Sequence, residues 1–193
     1  MFSEDIKQLN SEHTGDFCVS SLHDFEVRAL DESSEKDVIN LIRKNLSSFK
    51  GQDIENGLDE NALLIDTILK NYKKYGSCFY IVKDTLTNEV IAGAGLCSFA
   101  SLPLEESIGE IRGLVLDEQY KGQGVGTVLM KLCLEKAKKF GYKQVYLQTT
   151  SQMEYAQNLF KRFGFKPIVD SSSQNDSINK LKIPHYFVLE NLQ

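Results

Sequence analysis

The chain has 193 residues, 41% hydrophobic and 25% charged, with 22 Lys and Arg against 27 Asp and Glu for a formal charge of −5. This is the composition of an ordinary globular protein, long enough for one full-sized core and short for two. The acidic balance excludes a general attraction to nucleic acid or to an anionic membrane, and leaves room only for a local basic site.

The opening MFSEDIKQLNSEHTGDF carries acids where a secretion signal needs bases, and it lacks a continuous apolar core, so no leader is expected there. No run approaches the roughly 18 apolar residues of a membrane-spanning helix. Cys18, Cys78, Cys97 and Cys133 form no CxxC pair, and His13, His23 and His185 have no zinc-ligand spacing. Free thiols in a reducing cytoplasm, and no metal, are the expectation. Residues 1–24 read as a polar extension and 25–193 as the folded domain.

From Phe25 the chain becomes regular. FEVRAL alternates as a strand, and SEKDVINLIRKNLSSF puts Val38, Ile39, Ile42 and Leu46 on one helical face, with Ser33 or Ser34 as cap. After the loop GQDIENG, DENALLIDTILKNYKKYG predicts a second amphipathic helix ending at Gly76. SCFYIVKD and EVIAGAGLCSF, joined by TLTN, predict a hairpin. SLPLEESIG is a loop, and EIRGLVLD is a strand that runs into the glycines of KGQGVG. A long helix follows, with Val125, Val128, Leu129, Leu132, Cys133 and Ala137 on one face and Gly141 as its stop. KQVYLQTT, MEYAQNLFKRFG, FKPIV and IPHYFVLE complete the order as strand, helix, strand, strand, with SSSQNDS as a polar connection before the last.

The glycine loop is the informative feature. Glycine reaches φ > 0 and lets a ligand approach with no Cβ in the way. A helix starting near Gly124 turns its unpaired N–H groups, backed by a partial positive charge, into that loop, which suits a phosphate. It is not a P-loop, which needs four residues between the first glycine and a Gly-Lys pair. The dinucleotide fingerprint fails too, because Thr127 stands where its last glycine belongs. Glycine spacing by itself is a weak signal, and a turn that holds no ligand is the alternative.

The flanks narrow the choice. LVLDEQYKGQGVGTVLMKLCLEKAKKFGYKQVYLQTT followed by AQNLFKRFGF resembles the core of the GCN5-related N-acetyltransferase (GNAT) superfamily, densely from Glu110 to Phe165 and more loosely from Phe25 to Leu189. The resemblance implies an α/β fold: a central, mostly antiparallel sheet flanked by helices, in which the strand before the glycine loop splays from the strand after the long helix. It implies acetyl-CoA as co-substrate, with the diphosphate held by Lys121, Gly122, Gln123, Gly124, Val125, Gly126 and Thr127. Lys121 stands where the family has Gln or Arg, keeping charge but losing a planar donor group. Leu114, Val115 and Leu116 would bond the pantetheine arm through their main chain; their apolar side chains serve packing equally well.

For chemistry, the acceptor amine must lose a proton, and developing negative charge needs a donor, which the family takes from strand N–H groups. Glu110, at the start of that strand, is the candidate base; the structural alternative is an exposed glutamate at a strand start or one paired with Arg112. Phe160 lies beside the coenzyme by the resemblance, at the position where the family's general acid is a tyrosine, and cannot donate a proton. The expected activity is direct acetyl transfer to a primary amine, on a small molecule or a protein, by a cytoplasmic monomer or homodimer with no nucleic-acid or membrane partner. A non-catalytic acyl-CoA-binding sensor is the alternative that Phe160 leaves open.

Overall fold

The computed structural model describes residues 24–48, 68–149, 153–168 and 185–192. Residues 1–23 of the expected polar extension, the first half of the second helix and the SSSQNDS connection lie outside them.

Along the described chain run β1 (Phe25–Ala29), α1 (Glu35–Ser48), α2 (Ile68–Tyr72), β2 (Cys78–Asp84), β3 (Val90–Ser98) and β4 (Ile108–Leu116). Then come α3 (Val125–Phe140), β5 (Gln144–Thr149), α4 (Glu154–Arg162), β6 (Lys166–Pro167) and β7 (His185–Leu189). The strands form one seven-stranded sheet in the order β1-β2-β3-β4-β5-β7-β6. Every neighbouring pair is antiparallel except β4 and β5. A parallel pair needs a crossover connection, and α3 supplies it.

Local chemistry accounts for the turns. In the β2–β3 hairpin Asp84 accepts hydrogen bonds from the Leu86 and Thr87 N–H groups at 2.7 and 3.1 Å, an Asx turn that reverses the chain. Both helices that flank the parallel strand end in the same device. After α3, Gly141 takes φ 82°, its N–H bonds Lys138 O at 3.0 Å and that of Tyr142 bonds Ala137 O at 3.0 Å. After α4, Gly164 takes φ 86°, bonding Lys161 O at 3.0 Å, while Phe165 N–H bonds Phe160 O at 3.1 Å. These are Schellman ends, in which the residue after the glycine packs back on the last turn. The F-x-x-x-G-F stretch is thus partly a helix stop, with the Phe160 and Phe165 rings 6.3 Å apart.

The sheet has two covered faces. On one, α3 buries Val125, Leu129, Met130, Cys133, Leu134 and Ala137 against Ala92, Ala94, Leu96, Ile111, Val145 and Leu147. The periodicity predicted Val128 and Leu132 in that stripe; both are half-buried at its edge, and Met130 and Leu134 are inside instead. The stripe is centred on the 125-129-133-137 row, so it widens towards 130 and 134. On the other face α1 and α2 bury Val38, Leu41, Ile42 and Ile68 against Phe79, Ile81 and Val90. Here β3 is flattened by glycine: a Cβ at Gly95 would overlap the edge of the Tyr72 phenol, and one at Gly93 would lie 2.8 Å from Phe79. Glycine at 95 is what lets α2 lie on the sheet. Gly95→Ala is expected to cost about 1–3 kcal/mol by overpacking, read as a lower melting temperature; an unchanged one would show that Tyr72 does not rest there.

Candidate functional site

The parallel pair comes apart. β4 and β5 are in register from Ile108↔Gln144 to Ile111↔Leu147, and there the ladder stops. From Arg112 to Leu116, β4 is paired only with β3, through Gly95↔Arg112, Gly93↔Val115 and Ala92↔Leu116. The register shift in this stretch and φ 62° at Gly113 mark a bulge, which bends β4 away from β5. Leu114, Val115 and Leu116 occupy the bent half. All three are half-buried, Leu114 and Leu116 against the α3-side core and Val115 against the α1-side core.

β4 delivers the chain to the glycine loop. Asp117 caps a short turn by accepting from Gln119 N–H at 3.1 Å, and also pairs with Lys44 at 2.7 Å. Gly122 (φ 82°) and Gly124 (φ 85°) are left-handed, and Gly124 is the residue before α3, with no side chain capping that end. The first-turn N–H groups are thus presented to whatever lies in front. Leu116, Gly122, Gly124, Val125, Gly126, Thr127, Tyr155 and Leu159 line a small hollow at this point. Gln123 is exposed and donates its side-chain amide to Gln119 O at 3.3 Å. Lys121 is exposed and paired with Glu118 at 2.6 Å.

Glu110 sits on the opposite, α2-side face of β4, only 2% exposed. Its Oε2 is 2.8 Å from Arg112 Nη2. The contact is an ion pair without the alignment of a hydrogen bond, so this oxygen keeps acceptor capacity. Desolvation acts against the Arg112 charge, but the Glu110 carboxylate outweighs it and holds that guanidinium's pKa above its ordinary value. Across the ladder from Glu110 stand Cys97 on one side and Tyr146 on the other, with the Phe99 ring 4.7 Å from that of Tyr146. Burial pushes the Cys97 thiol up to about 11, with Arg112 opposing and Glu110 reinforcing the shift. Tyr72, half-buried with its phenol turned inward, is raised well above the phenol range by desolvation.

Phe160 is 3% exposed, packed edge-on against Phe187 at 5.9 Å. The loop and the bent half of β4 are therefore brought together, whereas Glu110 lies on the other face of the sheet and Phe160 points from α4 into the core. Sequence reading passed over two residues that the structure brings to the loop. Tyr155 Oη accepts the Gly122 N–H at 3.1 Å, and Arg162 donates to Thr127 Oγ1 at 3.3 Å. Their i, i+7 spacing, with Leu159 between, was the available signal. At the end of β5, the Thr149 hydroxyl is buried with no hydrogen-bond partner among the described residues, a group that calls for a ligand or water. Among the described residues no three His, Cys, Asp or Glu side chains are grouped to hold a metal ion, and no helix is long and apolar enough to cross a membrane.

With this geometry in place, known proteins become informative. The model of the acetyltransferase (GNAT) family matches residues 45–165. The uncharacterized N-acetyltransferase YjgM of Escherichia coli is 26% identical over 104 residues, which cover 54% of this chain and 60% of that protein. Among solved structures, an acetyltransferase of the GNAT family from Staphylococcus aureus Mu50 superposes with a TM-score of 0.66 at 18% identity, over 88% of this chain and 99% of that one. YncA from Salmonella typhimurium, solved with its cofactor acetyl-CoA, superposes with a TM-score of 0.63 at 14% identity, over 86% and 93%. Such identities speak for the fold. The chain spans between 43% and 63% of the length of the first curated relatives it matches.

A thiol raised to about 11 is protonated at neutral pH and is a poor nucleophile. Cys97 is expected to be alkylated by iodoacetamide far more slowly than a free cysteine between pH 7 and 9, as read by peptide mass spectrometry. Rapid labelling at pH 7 would contradict its placement.

Proposed function

The chain belongs to the acetyltransferase (GNAT) family, and on that footing we propose that it is an acetyl-CoA-dependent N-acetyltransferase that moves the acetyl group directly to a primary amine. The coenzyme fits what the residues offer. The observation that carries the reading is the conjunction of a parted β4–β5 pair with a helix N-terminus behind two left-handed glycines. The N–H groups of residues 123–127 would hold the diphosphate, with no Cβ at Gly122, Gly124 or Gly126 to keep it away. The freed edge of β4 at Leu114, Val115 and Leu116 would bond the pantetheine amides, as a strand bonds a neighbour. Thr149 lies on β5 beyond the last β4–β5 pair, and its buried hydroxyl, without a partner among the described residues, supports an occupant there. When bound, the coenzyme supplies an activated acetyl thioester and a thiolate leaving group.

The chain's own residues would then manage a proton and a charge. Glu110 is the candidate base: a buried carboxylate with an oxygen that still accepts, held in place by Arg112. Main-chain N–H groups of bent β4 offer donors where negative charge develops. Cys97, beside Glu110, is held protonated, which favours direct transfer over an acetylated enzyme. Phe160 supplies no acid, and a thiolate leaves without one near neutral pH.

Glu110→Gln keeps the shape and removes the base. Thiol release from acetyl-CoA across a panel of primary amines is expected to fall about a hundredfold, with acetyl-CoA affinity unchanged. An unaltered turnover and pH profile would remove Glu110 from the role. Tight acetyl-CoA binding by the unsubstituted chain with no thiol release from any amine would favour the sensor reading that Phe160 suggests.

A further inference from the structure

The cations of the glycine loop are spent. Lys121 is paired with Glu118 at 2.6 Å and Lys44 with Asp117 at 2.7 Å, so the segment between β4 and α3 has its positive and negative charges matched. A chain of net charge −5 that binds a polyanion needs a local cation from somewhere else. α4 provides one. It lies across the start of α3 and touches it at three successive points on one helical stripe: Tyr155 at Gly122 N, Leu159 at Gly126, where a Cβ would be 3.3 Å from the leucine, and Arg162 at Thr127 Oγ1. Residues seven apart on a helix share a face and are about 10 Å apart along it, enough to bracket the loop from end to end.

Resting on the acetyl-CoA reading above, we propose that Tyr155 and Arg162 are ligands of the coenzyme's diphosphate, Arg162 as its principal cation and Tyr155 as a hydroxyl donor. Among the described residues no carboxylate pairs with Arg162, and its contact with Thr127 holds the guanidinium at the first turn of α3, where the helix already favours an anion. Tyr155 is 53% exposed and lines the same hollow as Gly124 and Thr127. Its oxygen accepts the Gly122 N–H, which leaves its own proton to give to a phosphate oxygen. The loop supplies neutral amides; α4 supplies the charge.

The test is calorimetric titration of the full chain with acetyl-CoA, with dephospho-CoA, which keeps the diphosphate but lacks the 3′-phosphate, and with S-acetylpantetheine, which lacks both. Arg162→Gln is expected to weaken acetyl-CoA and dephospho-CoA alike, by tenfold or more, and to leave S-acetylpantetheine unaffected. Tyr155→Phe weakens the same two ligands by several-fold. Lys161→Gln, a neighbouring cation on α4, leaves all three unchanged, and melting temperatures stay level across the set. Wild-type affinity of Arg162→Gln for both nucleotides overturns the proposal while the coenzyme reading stands. A loss for acetyl-CoA alone, with dephospho-CoA unaffected, moves Arg162 to the 3′-phosphate and also overturns it. Failure of the unsubstituted chain to bind acetyl-CoA overturns the coenzyme reading, and this proposal with it.

Discussion

Everything at the site depends on β4 leaving β5. A parallel pair buried in the middle of a sheet ordinarily keeps its ladder, because an unpaired N–H or C=O away from water costs about as much as a lost hydrogen bond. Here the ladder ends at Ile111↔Leu147 while β4 runs on to Leu116. Gly113, at φ 62°, absorbs the bend. The sheet survives because β3 keeps hold of β4 through the bulge and because α3 spans the gap from one strand to the other. The result is an open strand edge leading to a helix N-terminus, two sets of unsatisfied backbone donors in one line.

The two faces of β4 divide the labour. Towards α3 it contributes Ile111 to the main core, which fixes where the helix begins. Towards α2 it carries the buried Glu110 and the half-buried Arg112, a pair of opposite charge beside a protonated thiol and the half-buried Tyr72 phenol. A carboxylate this deep is retained at a cost in desolvation, so the pair is weak evidence for stability and better evidence for a task. Gly93 and Gly95 thin β3 on that same side, and this lets Phe79 and Tyr72 close over the sheet.

Much of this was legible in the residues. The hairpin, the glycine loop and the long helix follow from alternation, turn chemistry and apolar spacing, and the splay followed from the resemblance carried by KGQGVG and its flanks. What could not be read is what long-range packing decides. Glu110 looks like an exposed strand start in sequence and is buried in the fold, because α2 and the Phe99 turn cover that face. Lys121 looks like the loop's cation, but Glu118 three residues earlier takes it. Phe160 looks like a substituted catalytic position and is at the same time the third-from-last position of a Schellman stop, packed on Phe165 and Phe187. Tyr155 and Arg162 were hidden because their partners lie 33 and 35 residues away in the chain.

The central claim is that the loop ahead of α3 is built by glycine to receive the coenzyme. Gly124 takes φ 85° directly before the helix, a conformation that a β-branched side chain resists, and its missing Cβ leaves the approach open. The direct measurement is a calorimetric titration of acetyl-CoA, with NAD as the control, into the unsubstituted chain and into Gly124→Val. Saturable binding at micromolar levels for acetyl-CoA alone, abolished by the substitution in a protein that keeps its circular dichroism, is the predicted result. Retained affinity in Gly124→Val, or equal binding of NAD, would contradict the account.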